Sequence, residues 1–380
     1  MAYESPWLNE DVRMFRESVR QFVANEFAPR QDTWRRQHGP DSDAWTQAGR
    51  AGILLPDLPE EYGGGGGSFA HEAVVLEELA RSGVHFGSAI QSTVAHYLFA
   101  YGSAEQKRRW LPRLGRGEMV AAIAMTEPGA GSDLQAIRTV ARRDGEHYVV
   151  DGSKSFITNG SRADLVCLAA KTDPRAPPMR GISLIVVETR ELAGYRAGRP
   201  LEKIGMHAQD TCELFFDAAR VPASNLLGDV EGRGFAQMME RLPYERLQIA
   251  VGAVAMAEQA VAITTRYVKE RKAFGKPLFE LQNTRFKLAE CKTRAHIGRV
   301  FLDSCIARFI AGCLDDASAA MAKYWLAETQ CRIVDECLQL HGGYGYMTEY
   351  PIARMWADAR VQRIYAGSTE IMKELIAWSL

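Results

Sequence analysis

The chain has 380 residues, 47% of them hydrophobic and 24% charged, with a formal net charge of −1. That length exceeds one typical core and implies two or three domains, and so balanced a charge argues against nucleic acid or an anionic membrane as a partner. Seven cysteines, at 167, 212, 291, 305, 313, 331 and 337, show no C-x-x-C spacing, and His71-Glu72 opens an H-E-x-x-H pattern that Val75 fails to complete, so neither a disulfide framework nor a metal site is indicated.

The first 117 residues read as helical. Val12, Phe15, Val19, Phe22, Val23 and Phe27 recur at three- and four-residue spacing until Pro29 ends the run. The opening stretch MAYESPWLNEDVR has neither a signal-peptide nor a transit-peptide pattern, so a cytoplasmic protein is expected. Asp41 or Ser42 caps a short helix through Ala48. Pro56, Pro59 and the glycine run 63–67 read as a flexible surface connector; no Gly-Lys-Ser/Thr follows, so it is not a P-loop. Helices are expected over 70–81, 88–100 and 104–114, the last with a Ser103–Gln106 capping box.

Near Glu118 the period changes. Val120–Thr126, Ile137–Arg143, His147–Val150, Lys154–Thr158, Leu165–Ala170, Ile182–Glu188 and Thr211–Phe216 are short β-favouring runs, with tight turns expected at Asp144-Gly145 and Asp151-Gly152. Strands without intervening helices imply an antiparallel sheet or a barrel-like sandwich. From Gly234 the chain is helical again: 234–271, kinked at Pro243, then 281–311 and 316–341 capped by Asp315 and Asp316, a break at Gly342-Gly343, and shorter helices at 351–359 and 368–378. Ile249–Ala257 is apolar but is stopped by Glu258, short of a bilayer span. The expected fold is α+β, mainly α: an N-terminal helical domain (1–117), a middle antiparallel β domain (118–229) and a C-terminal four-helix bundle (230–380). The sequence has no βαβ alternation and no G-x-G-x-x-G after a strand, which excludes a Rossmann nucleotide site.

Six stretches are able to carry chemistry. In Thr126–Asp133, TEPGAGSD, two glycines around a small residue let backbone N–H groups converge on an anion, with Ser132 as a hydroxyl donor; the same run is also ordinary turn chemistry. Phe156 and Thr158 in FITNG pair an aromatic ring with a hydroxyl, suited to a planar heterocycle or simply to a strand interior. Arg271 in ERKAFGK either clamps a phosphate or complements a helix C-terminus. QLHGG (339–343) and GSTEI (367–371) permit close backbone approach and an anion at a helix start, or serve as a helix stop and cap. In the run ERLPYERLQIA, Glu245 and Arg246 are the last charges before an apolar stretch. A carboxylate against such a wall is a candidate base, because desolvation raises its pKa; a first-turn Glu complementing the helix dipole in water is the plainer alternative.

TEPGAGSD, FITNG, RKAFGK, QLHGG and IYAGSTEIM, in this order, resemble the acyl-CoA dehydrogenase flavoproteins over essentially the whole chain. The resemblance implies FAD as cofactor, shared between subunits. It matches Ile123, Met125, Thr126 and Ser132 to flavin and pyrophosphate positions, and Phe156 and Thr158 to the ring cover and its polar edge; many members have Trp where this chain has Phe156. Arg271, Phe274 and Gln282 match contacts to a neighbour's FAD, and Gln339, Gly342, Gly343, Ser368, Thr369 and Glu370 the remaining FAD contacts. Ser132, Tyr244, Arg246, Ala366 and Gly367 match positions at the acyl-CoA. The implied reaction is α,β-dehydrogenation to trans-2-enoyl-CoA, with electrons passing to electron-transfer flavoprotein and the protein a homotetramer. Most members carry the base as Glu in a Tyr-Glu-Gly-Thr stretch, whereas this chain has Tyr365-Ala366-Gly367-Ser368. The long-chain and isovaleryl-CoA branches place it on the long helix directly before an arginine, where this chain has Glu245. An oxidase-like activity and a non-catalytic FAD-binding subunit of a heteromeric dehydrogenase are the alternatives.

Overall fold

In the computed structural model, which describes residues 3–380, helices occupy both ends of the chain and a sheet its middle. The N-terminal helices are α1 (Glu10–Phe22), α2 (Gln31–Arg36), α3 (Ser42–Arg50), α4 (Phe69–Arg81), α5 (Ser88–Tyr101) and α6 (Ala104–Gly115). The middle holds β1 (Ala121–Ala124), β2 (Val140–Asp144), β3 (His147–Thr158), β4 (Leu165–Lys171), the short α7 (Pro178–Gly181), β5 (Ile182–Glu188), β6 (Tyr195–Ala197) and β7 (Thr211–Pro222). Then come α8 (Gly234–Glu270), the two-residue strands β8 (Lys272–Ala273) and β9 (Lys276–Pro277), α9 (Gln282–Ile310), α10 (Asp316–Leu340), α11 (Pro351–Ala359) and α12 (Thr369–Ala377).

Pro29 does not end the first helical run. The chain winds through a wider turn at Val23–Phe27 and on into α2, with Pro29 in a first-turn position where its missing N–H has no helical partner to lose. Asp41 stands at the N-cap of α3, but its carboxylate is taken by Arg30 Nε and Trp34 Nε1 at 2.9 Å and Gln37 Nε2 at 2.7 Å. The glycine run is not a flexible connector. Gly64, Gly65, Gly66 and Gly67 each donate a backbone hydrogen bond into Leu55–Pro59. A Cβ on Gly64 would lie 2.2 Å from the Leu58 carbonyl oxygen, so glycine is there for close packing. The Ser103–Gln106 capping box forms, at 3.0 and 3.1 Å, and Gln106 Nε2 then donates to the Ser224 and Leu226 carbonyls, tying α6 to the end of the sheet segment.

The sheet is mixed rather than antiparallel throughout. Its order is β1-β4-β2-β3-β7-β6, with β5 beside β4; β1 and β2 run parallel to β4, and the other pairings are antiparallel. The β2–β3 hairpin inserts between β1 and β4 in sequence, so β4 returns in the direction of β1. Asp144-Gly145 makes the expected hairpin turn, with Gly145 at φ 57. Asp151-Gly152 does not turn: it lies inside β3, where the register against β7 shifts between Val150 and Gly152. A Cβ on Gly152 would meet Thr139 Oγ1 at 2.5 Å, so the glycine there admits the neighbouring chain. Leu165, Cys167 and Ala169 of β4 face the core shared with the N-terminal helices, and Val166, Leu168 and Ala170 face the core on the other side of the sheet. Burial on both faces is why β4 and β5 read as continuous apolar runs.

α8 passes through Pro243 without ending and is the central helix of the protein. By length and composition it is apolar enough to cross a membrane, yet 67% of its most apolar window is buried within the protein. It packs on α4 and α5 on one side and on α9 and α10 on the other, and α11 and α12 lie against α10. A polar junction ties the three regions. Asp358 of α11 accepts from His85 Nε2 at 2.8 Å and from the Met206 backbone N–H, with Arg35 of α2 at 3.8 Å. Burial raises the Asp358 pKa, and His85, the Met206 N–H and Arg35 together hold it below the usual carboxylate value. Asp358→Ala is expected to cost about 3 kcal/mol in urea unfolding at neutral pH. Because the folded pKa is depressed, the wild-type advantage is present above the ordinary carboxylate pKa and fades as pH falls through the folded value.

Candidate active site

Glu245 stands on α8 one position before a buried arginine, facing Tyr97 of α5. Protein crowds its carboxyl, although the residue as a whole keeps partial access to solvent, as a base awaiting a ligand must. Tyr97, fully buried, donates to Glu245 Oε1 at 3.0 Å. Desolvation pushes the Glu245 pKa up to about 7, opposed by the Tyr97 hydrogen bond and the charge of Arg246. The solvated first-turn alternative is therefore not what the fold builds. Glu245 sits in the interior of a 37-residue helix, three turns from its start.

Arg246 is 5% exposed, and among the described residues its Nε has no hydrogen-bond partner. Burial lowers its pKa, while Asp316 and Glu245 pull the other way. A buried guanidinium with an open donor is poised for an oxygen-rich ligand. Lys323 of α10 lies close enough to Arg246 to feel its charge, and it donates to the Gly367 carbonyl at 2.5 Å. That bond brings the 365–368 loop to the Arg246 side of α8. Ala366 and Gly367 both have positive φ, 49 and 94, so the loop turns sharply just before Ser368, which caps α12. Thr369 Oγ1 and Arg363 Nε share Glu328 Oε1, at 3.2 and 2.7 Å, and Glu370 is exposed. Tyr244 is placed in the core: its hydroxyl pairs with Ser92 Oγ at 2.7 Å and its ring stacks on His96.

A second group gathers at one end of β1 and β3. Ile123, Met125 and Thr126 are half-buried, and Ser132 is exposed on the loop beyond them. The Ser155 N–H donates to the Thr126 carbonyl at 2.9 Å, which sets the TEPGAGSD loop beside the end of β3. Phe156 sits at a register shift in β3 with φ 60 and is 69% exposed, two residues before half-buried Thr158. Beneath them runs a buried ion pair. Lys154 Nζ donates to Glu127 Oε1 at 2.8 Å and to the Met125 carbonyl at 3.0 Å, and Glu127 also accepts from the Arg138 and Thr139 N–H groups. A third group lies on the bundle: Arg271 over the Tyr344 ring at 5.3 Å, Phe274 at 92% exposure, and exposed Gln282, Gln339, Gly342 and Gly343. Among the described residues the second and third groups make no hydrogen bond to one another.

This arrangement fits FAD. Two exposed rings, Phe156 and Phe274, have no cover of their own. A Cβ on Gly129, Gly131, Gly342 or Gly343 would meet nothing within 4 Å, so backbone is open at each place where a phosphate or ring would approach.

Tyr97, Glu127, Lys154 and Lys323 were not singled out by sequence reasoning. Lys323 leaves a trace: it shares the buried stripe of α10 with Ala319, Ala320, Leu326, Ala327 and Gln330. Tyr97 leaves none, because an aromatic in an apolar helix looks like core.

Models of the acyl-CoA dehydrogenase N-terminal, middle and C-terminal domains match residues 9–118, 122–219 and 232–380. The chain belongs to the acyl-CoA dehydrogenase family, and with it to the FAD-binding oxidoreductases. It is 48% identical over 368 residues to the mitochondrial long-chain specific acyl-CoA dehydrogenase of Sus scrofa, covering 96% of this chain and 85% of that one. A crystal structure of an acyl-CoA dehydrogenase from Geobacillus kaustophilus superposes with a TM-score of 0.95 at 47% identity, over 99% of both chains. This chain is also 34% identical over 380 residues to the acryloyl-CoA reductase (NADH) of Anaerotignum propionicum, covering 97% of this chain and 94% of that one.

Proposed function

We propose that the protein oxidises saturated acyl-CoA thioesters to trans-2-enoyl-CoA, with Glu245 as the base. The observation that carries this is the Glu245 carboxyl itself, desolvated to a pKa of about 7 beside buried Arg246, in a chain whose C-terminal loop has Ala366 in place of a carboxylate. A base is most effective when its pKa lies near the operating pH. Glu245 takes the α proton of the thioester. The Ala366 backbone N–H, on the turned loop that Lys323 fixes, donates to the thioester oxygen as negative charge grows there. Arg246 holds the ligand from the adjacent position. Phe156 and Thr158 would hold FAD by its ring, and the cofactor would supply the acceptor for the β hydride.

The exposed Phe274 and Arg271 support a homo-oligomer, which we take to be a tetramer, in which this surface meets a neighbour's cofactor. Electron-transfer flavoprotein is the proposed acceptor. The similarity to a long-chain specific enzyme puts long acyl chains first among substrates. The similarity to an acryloyl-CoA reductase supports a second direction, reduction of an enoyl-CoA, in which Glu245 returns the proton.

The test is anaerobic addition of a panel of straight and branched acyl-CoAs to the purified yellow protein. Bleaching of the flavin by at least one saturated acyl-CoA is expected. A protein that stays oxidised with every saturated acyl-CoA, yet is reoxidised by an enoyl-CoA after chemical reduction, would establish the reverse reaction instead. Peroxide release at the rate of turnover would mark an oxidase.

A further inference from the structure

We infer that Tyr97 orients the Glu245 carboxylate through its hydroxyl, as a positioning residue that acts through the base and does not touch the substrate. This rests on the reading of Glu245 as the base.

The geometry is specific. Among the described residues, the Tyr97 hydroxyl is the only group that hydrogen-bonds the Glu245 carboxyl, at 3.0 Å. A tyrosine has one hydroxyl proton to give. Its other acceptor, the Met238 carbonyl, is at 3.5 Å, so the proton goes to the closer and charged oxygen. Once Glu245 has taken a proton, it is a poorer acceptor and the bond weakens. Tyr97 therefore favours the carboxylate over the acid, against the burial that favours the acid.

The other groups around Glu245 do not take over this role. Arg246, on the same helix, favours the charge but, among the described residues, makes no hydrogen bond to it; Asp316 of α10 competes for its charge, and Lys323 of α10 is repelled by it. Cys167 of β4 is buried, and its thiol is pushed up to about 12. Tyr101, one turn along α5, is likewise pushed up to about 12, and its hydroxyl is spent on Glu240 at 2.6 Å. Burial, with the nearby Glu245 charge, holds Tyr97 itself well above the usual tyrosine value. Removing the Tyr97 hydroxyl also leaves the helices in place. Ser92–Tyr244 at 2.7 Å and Thr93–Gln248 at 3.1 Å independently pin α5 to α8.

The experiment is the pH dependence of anaerobic flavin reduction in holoenzyme, from about pH 5.5 to about pH 9.5. In Tyr97→Phe the rising limb moves up by about one pH unit, so the rate at low pH falls about tenfold. The high-pH plateau stays within about threefold of wild type, since the base is intact once ionised. Incorporation of 3-fluorotyrosine at position 97, a stronger donor of nearly the same shape, moves the limb down and needs no cavity. A limb at the wild-type pH in both proteins overturns the inference, and so does a lowered plateau with an unmoved limb, which is what a purely structural role produces. Glu245→Gln separates the two levels. If that variant reduces its flavin at the wild-type rate, the base assignment is wrong. If it is inactive while neither change at position 97 moves the limb, only the role of Tyr97 is wrong.

Discussion

Glu245→Gln is expected to retain FAD and bind acyl-CoA while losing about a hundred- to ten-thousand-fold in the rate of flavin reduction. The amide keeps the shape of the side chain and still accepts the Tyr97 hydrogen bond, but it cannot take a proton. No second carboxylate replaces it on the 365–368 loop, because Ala366 stands there. The same substitution has an opposite effect on stability. An acid whose folded pKa is raised from 4.5 to about 7 stabilises the fold least when ionised. Below the unfolded pKa, wild type and variant differ little. As pH rises from about 4.5 to about 7, the unfolded chain ionises this carboxyl while the native protein keeps its proton, and the relative stability of wild type is lost across that interval. Glu245→Gln should then be more stable than wild type by up to about 3 kcal/mol at slightly alkaline pH. Unfolding curves at pH values on either side of this window check the sign. A variant that keeps near-wild-type flavin reduction would remove Glu245 from the mechanism. One that is less stable at every pH would show that the carboxylate is not strained by burial.

Lys154→Met should cost about 3–5 kcal/mol and shed FAD. Lys154 is fully buried, and burial pulls its pKa down to about 8 even with Glu127 beside it. The pair is therefore not a large net source of stability. Its importance lies in what is stranded when half is removed. Burial raises the Glu127 pKa, and Lys154 with the Thr139 and Arg138 N–H groups more than offsets that. Without Lys154, a 7%-exposed carboxylate and the Met125 carbonyl lose their shared donor directly under the TEPGAGSD loop. The variant's deficit should be largest at neutral pH and shrink on acidification, as Glu127 becomes protonated and no longer needs a counter-charge. Denaturant unfolding across pH and the flavin content of the purified protein measure both effects. A variant within about 1 kcal/mol of wild type, with full flavin, would mean that the loop is held by its backbone bonds alone.

The two largest effects come from residues that differ in how visible they were. Glu245 and the stretches TEPGAGSD, FITNG, RKAFGK and QLHGG are contiguous patterns, and the family belongs to them in that order. Helix existence was legible too, because the apolar period of 3.6 and the caps at Ser103 and Asp315 are local. The strand direction of β1 against β4 was not, since pairing joins segments far apart in the chain. Nor was the role of Gly152 or of the glycine run at 63–67, where what matters is the carbonyl or side chain that comes to lie against the missing Cβ.

By itself, then, the sequence determined the family, the helix–sheet–helix order and the candidate base, because each is written in neighbouring residues. Only the tertiary structure decided that Glu245 is desolvated, that among the described residues its carboxyl is hydrogen-bonded by Tyr97 alone, 148 positions away, and that Lys154 and Lys323 are buried beneath the loops at 125–133 and 365–368. Solvent exclusion and charge neutralisation are properties of packed surfaces, and no single stretch of chain contains them.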